Sequence, residues 1–123
     1  MKKNEYIKVG RLSKKIADAI NKSAGDICIT DATIKHIVGR HSAELGSMGM
    51  DAMGFVKFAV GNFTQILEDT HNKSLFLAYV PEQETAKVVV ITITAKDDKY
   101  FVKTAFPMKS SYLKNKILIW FKE

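Results

Sequence analysis

Apolar positions recur with a helical period in the first half of the chain and with a strand period in the second. Leu12, Ile16, Ala19 and Ile20 fall at i, i+4, i+7 and i+8, one stripe of a helix, with Lys14, Lys15 and Asp18 off it. This spacing predicts a first helix over 11–22. Ser23-Ala24-Gly25-Asp26 should stop it, since glycine readily takes the left-handed conformation that ends helices. Residues 26–30 read as a short extended piece. Thr30 or Asp31 can then cap a second helix carrying Thr33 to His41, by offering a side-chain oxygen to amides of its first turn. At about 100° per residue, Ile34, Ile37, Val38 and His41 share one face of that helix, and His36 and Arg40 lie opposite. Glu44 to Met50 is rich in small residues and reads as a loop. Ala52, Met53, Val56, Ala59 and Val60 form the apolar face of a third helix over 51–61.

Beyond this point the period shortens to two. Segments 63–68, 75–80, 87–95 and 99–106 read as strands, and 117–121 as a last short one. Turns are expected around Asp69 to Asn72 and at Asp97-Asp98. Pro107, with no amide for a ladder, marks the end of the strand before it. Alternation places Tyr100, Val102, Thr104 and Phe106 on one face of that strand, and Phe101, Lys103 and Ala105 on the other. Helices followed by a meander of strands predict an α+β fold, with N-terminal helices packed on one face of a four- to five-stranded, mainly antiparallel sheet. No repeat or linker interrupts the 123 residues. One domain over 1–123 is expected, with 1–30 as an N-terminal helical extension and 31–123 as the core.

Composition narrows the function classes. The chain is 46% apolar and 26% charged, the balance of an ordinary globular protein. No apolar run approaches the ~20 residues that span a bilayer. Met1-Lys2-Lys3 is followed by polar residues, not by the apolar stretch of a secretory leader. A cytoplasmic protein with no membrane partner is expected, and delivery into a target cell is compatible with the same sequence. Cys28, the only cysteine, sits between two isoleucines and reads as a small buried hydrophobe. Lys and Arg outnumber Asp and Glu by 19 to 13, a formal net charge of +6. That balance favours polyanionic partners, nucleic acid first, although lysines that merely keep a surface soluble produce the same number.

Histidine can both take and give a proton near neutral pH. His41, on the apolar face of its helix, is the best-placed candidate for chemistry. The alternative is a boundary histidine satisfied by one hydrogen bond. His36 and Arg40, one turn apart on the outer face, suit phosphate contact or plain solvation. Because the two histidines point in opposite directions, they do not make a zinc pair, and no metal or cofactor is expected. His71 falls in a turn, where solvent exposure explains it. Lys103, Thr104 and Lys109, with Tyr112, Lys114 and Lys116 behind them, make a basic, aromatic-containing segment suited to phosphate contact and base stacking. A soluble hairpin would look the same. Phosphate-cradling glycine loops, a His-Glu-x-x-His helix, a nucleophile elbow and a Cys/His zinc pattern are all missing from the sequence.

Ile34-Lys35-His36 followed by Arg40-His41, then strands closing on Val102-Lys103-Thr104-Ala105-Phe106-Pro107, resembles the phage and polymorphic-toxin RNase domains related to barnase, EndoU, colicin-type and RelE-type nucleases. The resemblance covers most of the chain from Asp31 onward. It implies helices packed on a four- or five-stranded antiparallel sheet and metal-independent RNA cleavage. Residue by residue, it puts His36 and His41 at the helix positions and Thr104 at the strand position, with Lys109 and Tyr112 in a looser correspondence. The expected catalytic group is thus His41, His36 and Thr104, and the expected phosphate-binding group Arg40, Lys103, Lys109 and Tyr112. RNA (tRNA among the candidates) and an immunity or antitoxin protein are the partners to expect. A catalytically silent domain of the same fold that binds RNA or protein is the competing reading, and a purely structural partner-binding module is a third.

Overall fold

The chain runs β1 (Ile7–Leu12), α1 (Lys14–Ala19), β2 (Gly25–Ile29), α2 (Asp31–Ser47), α3 (Ala52–Asn62), β3 (Gln65–Glu68), β4 (Leu75–Tyr79), β5 (Thr85–Thr94), β6 (Lys99–Lys109) and β7 (Ile117–Phe121). This is a computed structural model that describes residues 6–47, 49–69, 74–80, 85–94, 99–109, 113 and 116–122, without the side chains at 42, 44, 47, 85–94 and 109. The strands form one sheet in the order β1-β2-β6-β5-β4-β3-β7. Every neighbouring pair is antiparallel except β2 with β6. The α+β class expected from the sequence holds. The sheet is larger than four or five strands, because residues 7–29 are not a helical extension but supply β1 and β2.

The N-terminal correction has a local cause. Leu12 is fully buried at the end of β1, so it joins the stripe of Ile16 by spacing alone. Ser13 starts α1 by accepting the amide of Ile16 at 3.3 Å. Asn21, at φ 59°, ends it: the amides of Asn21 and Lys22 reach back to the carbonyls of Asp18 and Ala17 at 3.2 and 2.8 Å. The stop therefore precedes Gly25, which is buried in β2.

Helix α2 is capped by Thr30, whose Oγ1 accepts the Thr33 amide at 3.2 Å. It continues through the small residues after Glu44, where a loop is expected, and closes on Gly49 at φ 69°. The amides of Gly49 and Met50 bond the carbonyls of Gly46 and Leu45 at 3.0 and 3.1 Å. Asp51 caps α3 by accepting the Gly54 amide at 2.6 Å. Among the described residues, no helix is long and apolar enough to cross a membrane.

Helix α3 organises the core. Phe55, Val56 and Ala59 are fully buried against Leu12, Ile27, Ile66, Leu77, Tyr100 and Val102. One helix thus touches β1, β4, β5 and β6, and because Ile119 and Trp120 of β7, at the other end of the sheet, pack on the same core, the sheet curls around it. Glycine at position 10 permits the closest approach, since a Cβ there would overlap a methyl of Val60. The other face of the sheet holds a smaller cluster: Leu67, Phe76 and Ala78 under Leu113, joined by Phe106 and Met108. Lys116 anchors that cover through Asp69 at 3.6 Å and lies 5.2 Å from the Phe76 ring.

Strand β6 departs from simple alternation. Ile91 opposes Val102 but Val90 opposes Thr104, which leaves Lys103 as the extra residue of a bulge. Val102 and Ala105 therefore both pack in the helix-side core, whereas Phe106 packs in the opposite cluster. Thr104 shares the face of Phe106, not that of Val102. Pro107 does not end the strand either; it sits in β6 opposite Lys87. Strand β2 pairs with β6 only at Tyr100 and Phe101. Pro107 thus lies where β6 has no strand neighbour on its far side among the described residues, a position that tolerates a missing amide.

Two outcomes follow. Gly10→Ala should cost about 1–3 kcal/mol in urea unfolding, because Val60 is β-branched, stiff in a helix and almost fully buried; adding Val60→Ala should recover part of that loss. The second concerns Asp26, bonded by Arg11 at 2.9 Å and facing Lys8 at 3.4 Å. The Arg11 guanidinium first, and Lys8 after it, hold this carboxyl below the usual carboxylate range. Its folded value lies under its unfolded one, so the stabilisation is full above the unfolded value and fades as pH falls through the folded one. The stability gap between the protein and Asp26→Asn, read by urea melts at stepped pH, should close on acidification.

Candidate functional site

The helical period sorts the residues of α2 as the chain requires. Ile37 and Leu45 are buried in the core, and His41, on the same stripe, is half-buried. Its imidazole stacks on the Phe106 ring of β6, with centroids 5.5 Å apart and planes 30° from parallel. His36 and Arg40 are exposed on the outer side of the helix. Val38, expected on the apolar face, is 48% exposed. It sits at the border of a stripe that Ile34, Ile37, His41 and Leu45 already fill.

On β6, Thr104 is half-buried one strand repeat from Phe106, about 7 Å along the same face. Lys103, pushed out by the bulge, is exposed beside it. The fold therefore brings His41 onto Phe106 where α2 runs along β6, with Thr104 on the same strand face as Phe106 and Lys103 exposed next to Thr104. It does not bring His36 and Arg40 into that group. Tyr112, Lys114, His71 and the side chain of Lys109 lie outside the described residues, as do the turn at Asp97-Asp98 and most of the turn after Asp69.

Phe106 is the residue that sequence reasoning passes over. Its signal is a second aromatic two residues beyond Thr104, invisible as a histidine partner until α2 is laid on β6. Among the described residues, no three or more histidine, cysteine or carboxylate groups converge as a metal site would need. Cys28 is buried in β2, and burial first, with Asp26 adding to it, pushes its thiol up. A buried thiol with a raised pKa is a poor nucleophile. Cys28 should accordingly react with an aromatic disulfide reagent far more slowly in the native protein than in urea; equal rates would contradict its placement.

No family model matches the chain, and neither does any curated protein or solved structure.

Proposed function

We propose that the protein is a metal-independent endoribonuclease that cleaves RNA by transesterification. The observation that carries this reading is the stacking of His41 on Phe106, which shares its β6 face with Thr104. RNA brings its own nucleophile, the 2′-hydroxyl. Attack of that oxygen on phosphorus expels the 5′-oxygen of the next nucleotide and leaves a 2′,3′-cyclic phosphate. The 2′-hydroxyl proton passes to a base, and an acid returns a proton to the departing oxygen. His41 serves one of these roles. Its stacking on Phe106 holds the imidazole plane, and the Thr104 hydroxyl donates to a phosphate oxygen.

Lys103 supports negative charge on the phosphorane at the margin of the site, and Lys109 and Tyr112 are assigned to the same phosphate from the family resemblance. His36 and Arg40, on the outer side of α2, contact flanking phosphates rather than share the reacting one. The catalytic pair of histidines thus reduces to His41, with water or another group completing the proton balance. An immunity or antitoxin protein is the natural partner of such an activity.

The silent alternative, a domain that binds RNA or protein without turnover, is favoured by one observation: a face of the His41 ring is covered by Phe106. Purified protein incubated with RNA in EDTA separates the two. Cleavage with cyclic-phosphate ends is expected, and His41→Ala should lower the rate by about 10²–10⁴, the usual contribution of one acid or base. Intact RNA together with salt-sensitive binding, weakened by loss of Lys103, would leave the silent domain.

A further inference from the structure

The curl of the sheet brings its two ends to one place. Strand β7 is last in the strand order and α1 follows the first strand, yet both line a single open groove of about 870 Å³ with the C-terminal end of α3. The floor is apolar: Ile16 and Ala19 from α1, Phe63 after α3, and Ile119 and Trp120 from β7. Trp120 is fixed edge-on against Phe63, centroids 5.5 Å apart.

Strand β7 pairs with β3 on one side and is the end of the sheet on the other. Its five residues offer ~17 Å of backbone edge. Sheet ends are commonly blunted by charge, but Ile117, Leu118 and Phe121 are 49, 48 and 59% exposed. Ile119 and Trp120 meanwhile turn in to the helix-side core. An edge that pairs with no further strand among the described residues, and that carries unburied apolar side chains, is a template for strand addition.

The charges define the occupant. Among the described residues lining the groove, two are cations, Lys15 and Lys122, and none is a carboxylate. A second copy of the chain would bring these lysines, and a net charge of +6, against themselves. We infer that the β7 edge and its groove receive an extended, acidic segment of a partner protein, added as an eighth strand, with its apolar side chains over Leu118 and Phe121 and its carboxylates at Lys15 and Lys122. This surface is separate from the His41 residues and does not depend on the ribonuclease reading.

The test uses the full chain and three fluorescein-labelled peptides long enough to pair with β7: alternating valine and glutamate, alternating valine and lysine, and the glutamate peptide N-methylated on alternate amides. Anisotropy should show saturable, salt-weakened binding of the glutamate peptide alone, with amide shifts at 117–121 in NMR spectra. The exposed double substitution Lys15→Glu/Lys122→Glu should reverse the preference to the lysine peptide while circular dichroism stays unchanged. N-methylation should abolish binding. Absence of saturable binding by the glutamate peptide would overturn the inference. So would binding indifferent to charge reversal and N-methylation, a dimer in sedimentation that Phe121→Glu dissolves, or a short RNA that alone shifts the 117–121 amides.

Discussion

The burial of α3 inside a curled sheet is the constraint on which the other features depend. Phe55, Val56 and Ala59 are fully buried, and the helix that carries them meets strands from both halves of the sheet. The core it fills also takes in Leu12 of β1 and Trp120 of β7, the two ends of the strand order, so the sheet curls and does not lie flat. The close approach of Gly10 to Val60 draws the first strand in. Curling in turn brings α1 beside β7 and creates the groove between them. Hydrophobic burial here sets the shape of the surface as well as its stability.

The bulge at Lys103 is the second determinant, and it acts on chemistry. One inserted residue changes which side chains of β6 face the helices. Without it, Thr104 would share the face of Tyr100 and Val102 in the helix-side core. With it, Thr104 and Phe106 turn together to the opposite face, and Phe106 meets His41. The bulge also places a lysine in solvent beside a half-buried hydroxyl. Bulges commonly re-aim side chains in this way near functional positions, and the proposed site rests on this one.

Long periodic segments were legible in the sequence because their signals are redundant. Helix α3 has an apolar face and an aspartate cap, β5 has β-branched alternation, and α2 has a threonine cap and a stripe that runs through His41. The opposite directions of His36 and His41 follow from helix geometry alone. Single-residue events were not legible. Leu12 matches the stripe of α1 by distance yet belongs to a strand, and what separates them is the Ser13 cap. Gly46 is compatible with a loop but sits inside a helix closed three residues later by Gly49. Pro107 ends a strand only where both edges are paired, and pairing is a long-range fact. The Lys103 bulge likewise depends on the partner strand, and therefore so does the face that Thr104 takes.

The parallel contact of β2 with β6 carries a consequence for how the molecule is made. Ile27 and Cys28 meet Tyr100 and Phe101, and the Tyr100 hydroxyl donates to the Ser23 carbonyl at 2.8 Å. Partners so distant in sequence join only after the intervening chain has closed, at a cost in loop entropy that local contacts do not bear. During synthesis, β1, α1 and β2 leave the ribosome well before β6, yet β2 finds its neighbour in the sheet only once β6 has followed. A segment made well ahead of its partner strand is thus secured late, and until then Ile27 and Ile29 are apolar surface that a chaperone would recognise.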